Sequence, residues 1–176
     1  HETTLPITLD QMIYHASSVI RAVERALVVV DLPFGAYQGN SKEALTSSIR
    51  IMKESGAHAV KLEGGRNRVN LVKRLVNEEI PVVAHVGLTP QSVHKLGGYR
   101  VQGKTEESAK TLIEDAKMLE DAGAFAIVLE LVPKEVAEIV TNELSISTIG
   151  IGAGSECDIQ VLVLQDLIGL TFGRLP

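Results

Sequence analysis

Only one cysteine, Cys157, occurs in the 176 residues, so no intrachain disulfide is possible. Aromatic residues make up 3% of the chain and no basic block or aromatic stripe is present to track a phosphate backbone, which excludes nucleic acid as an expected partner. No run of about 18 apolar residues occurs, so neither a membrane span nor a membrane partner is expected, and the protein should be soluble. His and Cys nowhere pair at zinc-ligand spacing, and neither a dinucleotide fingerprint nor a P-loop appears. The opening residues show no charged n-region followed by an apolar h-region, and a reducing, cytoplasmic location is expected. With no low-complexity linker and no shift in composition, residues 1–176 read as a single domain.

The chain is 45% hydrophobic and 22% charged, with seventeen basic against twenty-two acidic residues, enough apolar material for a substantial core. Its organisation lies in a repeated change of period. Thr8 with Gln11 reads as a capping box, and Leu9, Met12, Ile13, Ala16, Ile20 and Val23 then recur at helical spacing. Ala26 to Pro33 is a short β-branched run closed by proline, the pattern of a strand buried on both faces. The alternation continues with a helix over 42–54, a strand over 59–63, a helix over 66–77 and a strand over 81–85. After a longer excursion from Gly87 to Lys104 come a helix over 106–121 stopped by Gly123, a strand over 125–131 and a helix opened by Pro133. The strand over 148–152 follows, and the apolar run Val161 to Leu164 is expected to be another.

Strands separated by helices pair in parallel with right-handed crossovers, so the class is α/β. A closed barrel is favoured over an open doubly wound sheet because polar residues stand at the carboxyl ends of several strands: Asp31, Glu63, His85 and Glu130. Lys61 and Glu63, two apart on one strand, leave the same face and should be neighbours. They read either as a self-satisfied ion pair or, with Asp31 and Glu130, as part of a site. Three carboxylates and one ammonium at a barrel mouth suit a hard cation such as Mg²⁺, completed by water and substrate oxygens. Such a cation would polarise a 2-keto acid and acidify its neighbouring carbon. Glu130, at the end of an apolar strand, is the best candidate base, with a salt bridge to Lys61 or Lys134 as the alternative. Lys61 suits a substrate carboxylate or an enolate oxygen. His85 either hydrogen-bonds a ligand or is a satisfied structural histidine. Gly150 to Gly154 either brings backbone N–H groups to an anion or lets the rim pack closely.

Taken together, the segments resemble the ketopantoate hydroxymethyltransferase family. The resemblance rests on His1-Glu-Thr-Thr4, Asp31-Leu-Pro-Phe34, Val60-Lys-Leu-Glu-Gly-Gly65, His85-Val-Gly-Leu-Thr-Pro-Gln-Ser92, Gly97-Gly-Tyr-Arg-Val-Gln-Gly103, Leu129-Glu-Leu-Val-Pro133 and Gly150-Ile-Gly-Ala-Gly154. It implies a (β/α)8 TIM-barrel fold of the phosphoenolpyruvate/pyruvate type. It also implies transfer of a hydroxymethyl group from methylene-tetrahydrofolate to 2-ketoisovalerate in pantothenate and coenzyme A biosynthesis. Mg²⁺ is the implied cofactor, methylene-tetrahydrofolate the co-substrate, and a homo-oligomer, the family decamer, the implied assembly. Carried over by motif, Asp31 and Glu63 are metal ligands, Asp31, Lys61 and His85 contact the keto acid, and Glu130 is the proton acceptor. The Gly97 to Gly103 segment is expected either to cover the site or to serve as a plain connection.

The sequence departs from the family at its N-terminal side, where two further strand and helix units and a Gly-Asp-Ser segment with another metal-ligating carboxylate are usual. About six of eight β/α units are therefore expected, in a barrel truncated at the N-terminus. The family also shows glycine where Ile159 follows Cys157 and Asp158, and a β-branched residue opposes a positive φ there. Two alternatives share these residues: a keto-acid lyase or mutase of the same superfamily, and an inactive truncated chain that serves in binding or assembly.

Overall fold

The computed structural model describes residues 3–170. Helix α1 (Leu9–Ala22) begins where expected, with Thr8 accepting from Gln11 N–H and the Gln11 side chain returning to the Thr8 backbone. Strand β1 (Val29–Asp31), α2 (Ser41–Ser55), β2 (Ala59–Lys61), a 3₁₀ turn (Arg66–Arg68) running into α3 (Val69–Asn77), and β3 (Val82–Gly87) follow. The excursion contains a 3₁₀ turn (Pro90–Ser92) and the short α4 (Val93–Leu96), and then α5 (Glu106–Asp121), β4 (Ala126–Glu130), α6 (Lys134–Glu143) and β5 (Ser147–Ile151) complete the regular part. The chain continues through β6 (Ile159–Gln160) and α7 (Leu164–Leu167).

All six strands form one parallel sheet in the order β1-β2-β3-β4-β5-β6. A sheet whose strand order follows the chain without reversal is singly wound: every right-handed crossover then puts its helix on the same side, which is the arrangement of a (β/α) barrel rather than a doubly wound sheet. The side chains divide accordingly. Val30, Val60, Leu62, Val82, Ala84, Ile127 and Leu129 join the large core beneath the helices. The alternate positions Val83, Ala126 and Val128, with Val29, Ile149 and Ile151 against them, form a smaller apolar cluster on the concave face. The fold is a six-strand portion of a (β/α)8-type barrel.

Two local expectations are corrected. The run Val161 to Leu164 is not a strand. Pairing with β5 ends once Val161 N–H donates to the Gly150 carbonyl, and Val161, Leu162 and Val163 are exposed before α7 starts at Leu164. An apolar run remains extended only where a neighbouring edge accepts it. Ile159 also meets no strain. It opens β6 opposite Ile149, and the non-glycine residues with positive φ among those described are Glu79 and Leu131.

Candidate active site

The same alternation that builds the concave apolar cluster carries polar groups onto its upper end. Two residues beyond Val29 is Asp31, two beyond Ala59 is Lys61 and then Glu63, two beyond Val83 is His85, and two beyond Val128 is Glu130. Because side chains alternate with period two along a strand, these five share the concave side, and all five line one cavity of about 380 Å³. Thr3, Thr4, Gln11, Met12 and Gln91 also line it. His1 and Glu2, the other half of the opening motif, lie outside the described residues.

Lys61 Nζ is 3.1 Å from Asp31 Oδ2 and 3.2 Å from His85 Nδ1. The side chain of Asp31, at the rim, is 44% exposed, and that of Lys61 16%. His85 is 2% exposed, and its Nε2 lies 3.2 Å from Glu130 Oε2 but off the line of a hydrogen bond. Its two ring nitrogens thus face Lys61 and Glu130. Burial, followed by the Lys61 ammonium, pushes the imidazole below its ordinary value, so the ring is neutral.

Glu63, for which an ion pair with Lys61 was one of two alternatives, sits in a network that the sequence did not single out. Its Oε2 accepts from Gln91 N–H at 2.9 Å, and its own N–H donates to Tyr37 Oη at 3.2 Å. Tyr37 Oη and Gln38 Nε2 both donate to Gln91 Oε1, while Gln91 Nε2 donates to the Leu32 carbonyl. Gln91 therefore ties the loops after β1, β2 and β3 together. No spacing rule could have found it, because its partners lie on other loops far away in sequence. Burial lifts the Glu63 carboxyl to about 7, against the opposing pull of Lys61 and of the Gln91 N–H, with Asp31 and Glu130 adding to the rise. Burial also pushes the Tyr37 phenol well up, which keeps it a hydrogen-bond donor.

Backbone geometry fixes the Glu130 end. Gly87 stands opposite Glu130 in register with φ +92°, and a Cβ there would lie 2.3 Å from the Glu130 carbonyl oxygen, which accepts from Leu88 N–H at 2.8 Å. Leu131 turns the chain away with φ +46°, a conformation that costs a branched residue energy and marks a constrained position. The glycines after β5 pack closely: a Cβ on Gly152 would lie 2.8 Å from Leu131 Cδ2, and one on Gly154 2.5 Å from Lys134 Cβ. Close packing is thus the role their environment supports. The 97–103 segment does not line the cavity. It borders a separate polar pocket beside α5, and Gln102 N–H donates to the Leu131 carbonyl.

Three carboxylates against one ammonium make the cavity favourable to a cation. Among the described residues no three His, Cys, Asp or Glu side chains form a closed ligand set. Asp31 ends β1 and Glu63 lies just beyond β2, so the two carboxylates stand at neighbouring strand ends. No described helix is long and apolar enough to cross a membrane.

The family model for ketopantoate hydroxymethyltransferase matches residues 1–176. A 3-methyl-2-oxobutanoate hydroxymethyltransferase from Flavobacterium johnsoniae is 63% identical over 170 residues, covering 97% of this chain and 62% of the relative. One from Clostridium botulinum is 57% identical over 175 residues, covering 99% and 64%. The chain spans less than two thirds of the length of these relatives. Among solved structures, a putative phosphonomutase from Burkholderia cenocepacia superposes with a TM-score of 0.61 at 13% identity, covering 82% of this chain and 62% of that one. A putative lyase/mutase from the same organism gives 0.59 at 15%, covering 82% and 52%. Likeness at that identity shows the fold alone, a (β/α) barrel.

Proposed function

The chain belongs to the ketopantoate hydroxymethyltransferase family, and from that premise we propose that its residues serve hydroxymethyl transfer from methylene-tetrahydrofolate to 2-ketoisovalerate, giving ketopantoate for pantothenate synthesis. The observation that carries this reading is the convergence of Asp31, Lys61, Glu63 and Glu130 on one cavity from three strand ends.

In this reading Asp31 and Glu63 hold Mg²⁺, directly or through water. When bound, the ion polarises the keto carbonyl and makes the neighbouring C–H acidic. Lys61, with its ammonium aimed into the cavity, meets the carboxylate or developing enolate oxygen, and Asp31 contacts the same ligand. Glu130 takes the C3 proton. Its side chain is 17% exposed, reachable from the cavity yet mostly shielded from water, as a proton acceptor requires. Gln91 N–H holds the Glu63 carboxylate, and Tyr37 Oη holds the Glu63 backbone N–H. Assembly as a homo-oligomer belongs to the same proposal, and the exposed apolar surface around β6 and α7 is compatible with it.

Calorimetric titration tests the binding half. 2-Ketoisovalerate should bind in the presence of Mg²⁺, and Glu63→Ala should weaken the Mg²⁺ isotherm by about tenfold or more, since one of two anionic ligands is removed. An isotherm unchanged by Glu63→Ala would remove that residue from the metal site.

A further inference from the structure

Among the described residues, the buried side-chain nitrogen or oxygen atom without an aligned hydrogen-bond partner is His85 Nε2. A buried polar atom is normally satisfied, so an exception beside a candidate base calls for a reason. The tautomer follows from the other nitrogen. Lys61 Nζ lies 3.2 Å from Nδ1, and an ammonium only donates, so Nδ1 must be a bare acceptor. A hydrogen on Nδ1 would point at the ammonium. The neutral ring therefore carries its hydrogen on Nε2, on the side of Glu130, whose Oε2 lies 3.2 Å away but off the line of a hydrogen bond. The charged groups acting on the ring are Lys61, Glu130 and Asp31, and burial with Lys61 keeps it neutral.

We propose that His85 is a positioning residue: Lys61 fixes it as the Nε2–H tautomer, and that N–H steers the Glu130 carboxylate at the cavity wall. In this arrangement the ring directs its one N–H to the side of Glu130, and Lys61 occupies the other nitrogen. It completes a line from Asp31 through Lys61 and His85 to Glu130, joining the anchoring end of the cavity to its base. On this proposal the Glu130 side chain turns to complete the bond, the same freedom that a carboxylate needs to move toward a substrate proton and back. The inference takes from the proposed function only the role of Glu130; the tautomer stands on distances.

Ring ¹⁵N labelling of the five histidines, with His85→Asn to identify the signals, tests it directly on the whole chain. At pH 7 His85 should show a pyridine-type Nδ1 and a pyrrole-type Nε2. Lys61→Met should mix the two tautomers, and Glu130→Gln should move the Nε2–H proton without changing the tautomer. A hydrogen on Nδ1, a doubly protonated ring, or an Nε2–H signal indifferent to Glu130→Gln overturns the proposal. In catalysis, His85→Leu should lower kcat by about tenfold or more with KM little changed, and His85→Gln, which restores an N–H near the Nε2 position, should recover part of it. Equal losses in two variants that melt like the parent would contradict the role. A parent chain with the expected histidine signals and no turnover would count against the keto-acid reading and leave the positioning role standing.

Discussion

Glu63 combines a site role with a folding cost, and the two can be separated by pH. Its carboxyl rises from 4.5 to about 7 chiefly through burial, so the folded chain holds this proton more tightly than the unfolded one. A group raised in this way contributes stability that is fully present below pH 4.5 and lost as pH climbs through about 7. In metal-free buffer, Glu63→Gln should therefore be more stabilising at pH 8 than at pH 5, by on the order of 2 kcal/mol after allowing for residual solvent screening. Thermal melts of both proteins at the two pH values read this out. A gap that stays constant or shrinks toward pH 8 would show that Glu63 is not paying a burial cost. That Glu63 and Lys61 share a face was legible from their spacing, because strand side chains alternate. That the Glu63 carboxylate is held by Gln91 rather than by Lys61 was not, since a hydrogen bond to the backbone of a distant loop leaves no periodic trace.

At the scale of elements, the ends of β3 and β4 set the position of Glu130. Gly87 lets the two strands close on each other, and any side chain there meets the Glu130 carbonyl. Gly87→Ala adds both that clash and an unfavourable φ, and should cost roughly 2 kcal/mol or more in denaturant unfolding. A midpoint within experimental error of the parent would mean that the β3 end is looser than its geometry implies. Element positions were mostly legible within a few residues because each change of hydrophobic period is a local signal, reinforced by caps such as Thr8 and by Gly123 after α5. Val161 to Leu164 misled for a physical reason: its composition suits a strand, yet strand formation depends on a partner edge, and its pairing stops after Val161. Ile159 misled in the opposite way. Its expected strain presupposed a turn, and the chain is extended there.

Across the whole molecule, β1 pairs with β2 alone and β6 with β5 alone among the described residues, leaving two sheet edges open. Near the second edge Leu164, Leu167 and Ile168 are exposed with Val161, Leu162 and Val163, a patch that favours association. Sedimentation velocity should show this 176-residue chain associating more as concentration rises, and Leu164→Lys with Leu167→Lys should reduce that trend without loss of circular dichroism. A parent chain that remains monomeric throughout would contradict the prediction. The barrel class was legible because polar residues stand at the carboxyl ends of several strands, and the singly wound order bears it out. What ties the cavity together chemically is a claim about proton abstraction, and it is tested most directly by following hydrogen-to-deuterium exchange at C3 of 2-ketoisovalerate by NMR, with and without Mg²⁺. The account predicts Mg²⁺-dependent exchange that Glu130→Gln abolishes while keto-acid binding persists. Exchange undiminished in Glu130→Gln, or none from the folded parent chain saturated with metal and keto acid, would contradict it.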